Sequence, residues 1–167
     1  MRIIGLDLAL ATGYAWGDRG VRPIYGNFNL HGFDEANRAR SCAALYAAVQ
    51  SIVRENGIEG AVIEFPIAPK RKNSRGVLLP AGAHGVRMLT MISGAAQAGA
   101  YSGGCRHFWM PEPATWRKAV LGNGFPEKPK DEAFKYCKMV LRLNVQDHNA
   151  AEACCLVEYG HAQARLI

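Results

Sequence analysis

The chain has 167 residues and a mass of 18.2 kDa, a length that predicts one domain over residues 1–167 with a core that needs no disulfide support. Hydrophobic residues make up 49% of the chain and charged residues 20%, which excludes an intrinsically disordered protein. The formal net charge of +6 and the pI of about 9.2 favour a polyanionic partner, because the basic residues are clustered.

The cysteines and the apolar runs indicate a cytoplasmic protein. The five cysteines are scattered and form no CxxC pair, so we expect free, buried thiols and no zinc site. No signal-peptide pattern opens the sequence, and no apolar run approaches the roughly 20 residues of a membrane span.

Three antiparallel strands are predicted at the amino end. Residues 2–8 and 12–16 are runs of strand-forming residues on either side of a small-residue turn, which is typical of a β-hairpin. Asp7 lies close to the tip of this hairpin, and residues 24–30 supply the third strand.

The next elements are a helix and a buried strand. A helical period runs through residues 34–56 and stops at Asn56-Gly57, and residues 60–65 form a strand closed by Pro66. Glu64 lies at the end of that strand. Functional side chains collect at the carboxyl ends of strands in open α/β sheets, and an unpaired core carboxylate is costly, so we predict that Glu64 is functional.

Residues 66–82 form a predicted basic loop that faces DNA, with Lys70, Arg71, Lys72 and Arg75 as its charges. A helix over residues 85–101 follows, and its small residues permit close helix packing. These small residues are explained equally well by packing within one chain and by a dimer interface. We take this helix, with Met88, Met91 and Ile92 on its apolar side, as the hypothesised dimer interface.

The carboxyl-terminal part is predicted to hold a short strand over residues 106–110, a short helix broken at residues 122–124, a helix over 130–143, and a final helix through Ala164. The predicted fold class is therefore α/β. Its mixed five-stranded sheet has three antiparallel strands followed by two parallel strands, and helices flank it.

Four acidic residues are the candidates for catalysis, namely Asp7, Glu64, Asp147 and Glu152. Carboxylate oxygens suit Mg²⁺, and two such ions about 3.5–4 Å apart hydrolyse phosphodiesters by activating water and stabilising the leaving oxygen. Asp7 is the best candidate for a ligand shared by both ions. The predicted metal ligands are Asp7, Glu64, His148, Asn149 and Glu152.

The fourth ligand stays open among Asp147, His148 and Asn149. On a helix, His148 and Asn149 precede Glu152 by four and three residues and share its face. Asp147 faces the site only if it is the N-cap residue, and a capping role explains it as well as metal ligation does.

Several of these segments, in order and spacing, resemble RuvC-type Holliday junction resolvases, in the style of compact phage and prophage members. The matching segments are residues 3–7 with 12–14, 62–64, 116–124 with Lys128, and 149–153, so the resemblance covers nearly the whole chain. It implies a ribonuclease H-like fold, a homodimer, a bacterial or phage-infected host cell, and magnesium-dependent cleavage of branched DNA, with Mn²⁺ as a substitute.

The resemblance also implies DNA-backbone contacts from Arg117, Lys118, Lys128 and Lys130. The chain departs from the family one turn before Glu152, where Asn149 replaces a carboxylate or histidine, and Glu152 itself replaces the usual aspartate. Tyr14 and Trp16 are assigned to the core. Phe65 and Phe125 are also expected in the core, with base stacking as the alternative.

The resulting interpretation is a structure-selective endonuclease that resolves Holliday junctions or related branched DNA. A sugar-kinase-like ATPase is excluded, because 167 residues cannot hold the two domains it needs. A catalytically inactive DNA-binding module, a less selective flap or fork nuclease and an RNA-processing nuclease stay open.

Overall fold

The computed structural model describes residues 1–31, 34, 36–67, 71–72, 78–79 and 83–166, and at 71–72, 78–79 and 83–85 it describes the backbone alone. The strands are β1 (Ile3–Asp7), β2 (Ala11–Gly17), β3 (Ile24–Asn29), β4 (Gly60–Ile63), β5 (Arg71–Lys72), β6 (Leu78–Leu79) and β7 (His107–Trp109). The helices are α1 (Arg38–Glu55), α2 (Ala83–Gly103), α3 (Pro113–Leu121), α4 (Pro129–Met139) and α5 (His148–Gln163).

Five strands form one mixed sheet in the order β3-β2-β1-β4-β7. Strand β2 pairs antiparallel with both β1 and β3, whereas β4 pairs parallel with both β1 and β7. The predicted α/β class, with three antiparallel strands followed by two parallel strands, is confirmed. Strands β5 and β6 form a separate antiparallel pair, so residues 71–72 and 78–79 of the predicted loop are strand residues.

Two helices are shorter than the sequence predicts. The carboxylate of Asp34 accepts a hydrogen bond from the backbone N–H of Asn37 at 2.9 Å, and α1 begins only after this turn, at Arg38. Helix α4 ends at Met139 rather than at residue 143. The chain leaves the helix through Arg142, whose φ of 56° lies in the left-handed region.

Each face of the sheet carries its own core. Ile4 and Leu6 of β1 pack with α1 and α2 on one face, whereas Ile3 packs with α3, α4 and α5 on the other. Successive side chains of a strand point to opposite faces, so Asp7 shares the face of Ile3 and points towards α5. This alternation decides which helices surround the candidate site.

Most predictions about single core residues are confirmed. Tyr14 and Trp16 pack against the core beside α1 and α2. All five cysteines are free; Cys42 is half-buried and the other four are buried. The core prediction for Phe65 and Phe125 is wrong, because both lie outside the helices and strands and their side chains are exposed.

The hypothesised interface helix is largely occupied by packing within the chain. Ile92 is fully buried in the core and Met88 packs against that core, so the prediction that Ile92 faces a partner is wrong. A Cβ atom added at Gly99 would lie 2.5 Å from the carbonyl oxygen of Tyr46, which shows that α1 and α2 touch backbone to backbone. Gly94 and Met91 lie on the exposed side of α2.

Helix α5 lies unusually close to the sheet because glycines face it. A Cβ atom at Gly5 would lie 2.4 Å from the carbonyl oxygen of Ala153, and one at Gly13 would lie 2.1 Å from that of Asn149. Distances below about 3 Å do not occur for real Cβ contacts, so no larger residue fits these positions unless the helix moves.

Within the described part of the chain, none of the helices is long and apolar enough to cross a membrane.

We predict that Gly13→Ala lowers the free energy of unfolding by about 3 kcal/mol, because the new methyl group overlaps the backbone of α5. The matched control is Gly94→Ala in α2, where an added Cβ atom meets nothing within 4 Å. That variant should be unchanged or more stable by up to about 1 kcal/mol. Urea unfolding followed by circular dichroism measures both. Equal effects of the two substitutions would contradict the close packing of α5.

Candidate active site

Three carboxylates lie at one edge of the sheet, each supplied by a different element. Asp7 is the last residue of β1, Glu64 directly follows β4, and Glu152 lies in the second turn of α5. Strands β1 and β4 run parallel with Leu6 paired to Ile63, so their carboxyl ends meet. Asp7 is 9% exposed and Glu152 is 3% exposed.

Burial and mutual repulsion disfavour the charged forms of these acids. The pKa of Asp7 lies well above its usual value because of burial first, and then because of repulsion from Glu152 and Glu64. The positive charges of Lys130 and Arg117 act in the opposite direction. Burial also raises the pKa of Glu64. The charged forms of Asp7 and Glu64 are therefore less favourable here than in water.

Glu64 is held by a tryptophan. The indole Nε1–H of Trp116, on α3, donates a hydrogen bond of 2.6 Å to Oε2 of Glu64, and Trp116 is fully buried. This bond favours the charged carboxylate and partly offsets the effect of burial on the pKa of Glu64. Trp116 thus fixes the orientation of one candidate ligand.

The next residue in the chain holds a second acid. Nη2 of Arg117 lies 3.0 Å from Oε1 of Glu152, and both side chains are mostly buried. The guanidinium carbon of Arg117 lies 5.1 Å from the centre of the Trp116 ring. The buried Nε of Arg117 has no hydrogen-bond partner. Trp116 and Arg117 together therefore link α3 to both Glu64 and Glu152.

Neither contact is predicted from the sequence, in which Arg117 is expected on the DNA backbone and Trp116 has no expected role at the site. The only signal was that both residues fall in the segment 116–124 that resembles the resolvases.

The start of α5 brings the candidates for a fourth ligand to the same region. Oδ1 of Asp147 accepts hydrogen bonds from the backbone N–H groups of Asn149 and Ala150, each 2.9 Å long, so Asp147 is the N-cap residue. The side-chain amide of Asn149 donates to the carbonyl oxygen of Ala11. Its Oδ1 accepts a bond of 3.1 Å from Nζ of Lys130. His148 is exposed.

His148 contacts α4. Its ring packs edge-on against Phe134 with 4.5 Å between the ring centres. The described contacts of Asp147 and Asn149 are thus hydrogen bonds within the protein, and that of His148 is a ring contact.

The predicted DNA-binding residues occupy two regions. Lys118, Lys128 and Lys130 are exposed on α3, in the loop after it and on α4, whereas Arg117 is mostly buried against Glu152. Of the basic loop, Arg71 and Lys72 belong to β5, and Lys70 and Arg75 lie outside the described residues.

The acidic side chains at this edge carry oxygen donors, the type of ligand that a hard divalent cation takes. Among the residues that the structure describes, no group of three or more acidic, histidine or cysteine side chains is arranged so that it could hold a metal ion. Glu64 and Glu152 are instead held by Trp116 and Arg117. The carboxylates of Asp7, Glu64 and Glu152 nevertheless supply the oxygen ligands that Mg²⁺ takes, and a bound cation would offset the repulsion among them.

We predict that Trp116→Phe lowers the free energy of unfolding by about 1–3 kcal/mol, because a half-buried carboxylate loses its donor. The loss should shrink strongly in a Glu64→Gln background, where the bond to a charged partner is already gone. Urea unfolding of the two single variants and the double variant measures the coupling free energy between Trp116 and Glu64. Additive effects within about 0.5 kcal/mol would show that the indole only fills space.

Comparison with known proteins rests on structure. No protein-family model and no curated protein matches the sequence. The structure of Thermus thermophilus RuvC aligns with 99% of this chain and 97% of its own, with a TM-score of 0.72 and 15% identity. Thermus thermophilus RuvC in complex with Holliday junction substrate aligns with 98% of this chain and 96% of its own, with a TM-score of 0.68 and 13% identity.

A further match is the yeast mitochondrial Holliday junction resolvase Ydc2, which aligns with 98% of this chain and 79% of its own at a TM-score of 0.48 and 15% identity. The two alignments with Thermus thermophilus RuvC extend over nearly the full length of both chains, and they confirm the expected ribonuclease H-like arrangement of sheet and helices. This chain has the fold of the RuvC-type Holliday junction resolvases.

Proposed function

We propose that this protein is a divalent-metal-dependent endonuclease that cleaves branched DNA, with the Holliday junction as its substrate. One observation carries the proposal: Asp7, Glu64 and Glu152 gather at one edge of a sheet whose fold is that of RuvC. Thermus thermophilus RuvC, which shares this fold, is known in complex with Holliday junction substrate.

The carboxylates of Asp7, Glu64 and Glu152 would hold Mg²⁺, with Asp147, His148 and Asn149 as candidates for a further ligand. Bound Mg²⁺ supplies an activated water and charge stabilisation for phosphodiester hydrolysis. The protein contributes orientation and counter-charge. Trp116 fixes the carboxylate of Glu64, and Arg117 and Lys130 lie within electrostatic range of Asp7.

The exposed lysines of α3 and α4 provide the surface for DNA. Lys118 and Lys128 are exposed, and Lys130 is hydrogen-bonded to Asn149 at the start of α5. Lysines bind phosphates as point charges, which gives affinity and salt dependence without sequence readout. The basic loop with Lys70, Arg71, Lys72 and Arg75 adds to this surface in the proposal.

A homodimer completes the proposal, because a two-fold symmetric junction needs paired nicks and a two-fold dimer is the commonest assembly. The exposed side of α2 supports it: Met91, Gly94, Ala98 and Tyr101 all lie on this side, and Gly94 has open space above it. Met91 and Tyr101 make this side partly apolar, which is a surface that a second copy of the chain would cover.

We expect Asp7→Asn to lower the rate of junction cleavage by about 100-fold or more, because it removes one charge from a site that needs several to hold cations. Binding of the junction should be retained. The measurement is cleavage of labelled four-way junctions, forks, flaps and linear duplexes with Mg²⁺, Mn²⁺ or chelator. Asp18→Asn, which removes only a surface ion pair with Arg2, is the matched control.

A supercoiled plasmid with an extruded cruciform tests the assembly in the same assay. Paired nicks by a dimer linearise the plasmid, whereas single nicks leave an open circle. Near-normal cleavage by Asp7→Asn would contradict the metal site. Unmutated protein that binds junctions but cuts no substrate would instead indicate an inactive binding module, and preferential cutting of flaps would indicate a different branched substrate.

A further inference from the structure

An exposed phenylalanine stands in an open groove beside α3. Phe125 is 87% exposed, and the groove of about 790 Å³ next to it includes the polar side chains of Thr115, Lys118 and Asn123. Phe125 itself and small residues, namely Ala114, Ala119, Gly122 and Gly124, form the remaining walls of the groove. A ligand that covers the ring of Phe125 would remove its apolar surface from water, which is favourable.

The loop that carries Phe125 is fixed in place. Gly122 ends α3 with a φ of 79°, and the side chain of Asn123 accepts a hydrogen bond of 2.9 Å from the backbone N–H of Phe125. A Cβ atom at Gly124 would lie 2.7 Å from the carbonyl oxygen of Ala114, so the loop packs directly on α3. The backbone therefore holds the ring outside the core.

Exposed lysines lie in the segment that carries the groove. Lys118, Lys128 and Lys130 are exposed, and Glu127 is the acidic residue between Lys118 and Lys130. Lys118 lines the groove itself. The loop then continues through Lys128 into α4, where Nζ of Lys130 lies 3.1 Å from Oδ1 of Asn149 and within electrostatic range of Asp7. One continuous segment thus joins the groove to the carboxylate cluster.

We propose that this groove, the Phe125 groove, binds an unpaired nucleobase of a DNA strand that passes the carboxylate cluster. The base stacks on the ring of Phe125, and the ammonium group of Lys118 binds a neighbouring phosphate. This proposal rests on the proposed function for its substrate class. A paired base hides both of its faces within the duplex, so the groove selects DNA that has unpaired nucleotides, as at an opened branch point.

The test measures binding in chelator, so it does not depend on cleavage. The probe is a four-way junction with 2-aminopurine in an unpaired position at its centre, compared with a duplex that carries 2-aminopurine in a paired position. Phe125→Ala should weaken junction binding about 10-fold and remove the fluorescence change, and Phe125→Trp should restore both. Duplex affinity should not change.

Two further variants separate stacking from charge and from general surface effects. Lys118→Ala should lower the slope of log affinity against log salt by about 1, whereas Phe125→Ala should leave that slope unchanged. Met139→Ala, an exposed apolar residue at the other end of α4, should change neither quantity.

The experiments distinguish a protein without the base-binding groove from a protein without nuclease activity. Equal junction affinity of Phe125→Ala and unmutated protein, or no fluorescence change with unmutated protein, overturns the base-binding groove even if the protein cleaves junctions. A change of oligomeric state in Phe125→Ala, measured by sedimentation without DNA, would overturn it in favour of a contact between two copies. Phe125-dependent binding without cleavage would support the groove and contradict the nuclease.

Discussion

The close packing of α5 on the sheet determines the candidate site. Gly5 and Gly13 have no side chain where the backbone of α5 passes, and Gly160 of the helix itself lies against Ile3 and Val62. Asp7 points to the face of β1 on which α5 packs. The close approach of α5 therefore places Glu152 within electrostatic range of Asp7. The parallel pairing of β1 and β4 then adds Glu64. Three acids that are far apart in the sequence meet for these two reasons.

Three carboxylates in a partly buried place repel one another and lose contact with water, which is unfavourable. Side chains of α3 and α4 offset part of this unfavourable free energy. Trp116 donates to Glu64, Arg117 pairs with Glu152, and Lys130 lies at the rim. Removing a partner from a buried charge costs more than the pair contributes, so these contacts are strongly constrained. Burial first, and then repulsion from Glu152 and Glu64, raises the pKa of Asp7, so a bound cation would stabilise its charged form.

The sequence predicts the sheet and two of its acids well, because strand alternation and strand ends are local signals. Asp7 and Glu64 are visible as carboxylates at the ends of apolar runs. The roles of Trp116 and Arg117 are not predictable in this way, since they depend on how α3 lies across the ends of β1 and β4. The core prediction for Phe125 is wrong because hydrophobicity alone does not show that a fixed loop holds the ring outside the core.

The most direct test of the account is whether divalent cations stabilise the protein through these carboxylates in the absence of DNA. Mg²⁺ or Mn²⁺ at about 100 times its Kd should raise the free energy of unfolding by about 2.7 kcal/mol, which is about 5–10 °C in Tm for a chain of this size. The measurement is thermal unfolding of unmutated protein and of Asp7→Asn, in chelator and across a cation titration at constant ionic strength. We predict that the cation raises the Tm of the unmutated protein and changes the Tm of Asp7→Asn little or not at all. Equal shifts in both proteins, or no shift in either, would contradict a cation site at Asp7, Glu64 and Glu152.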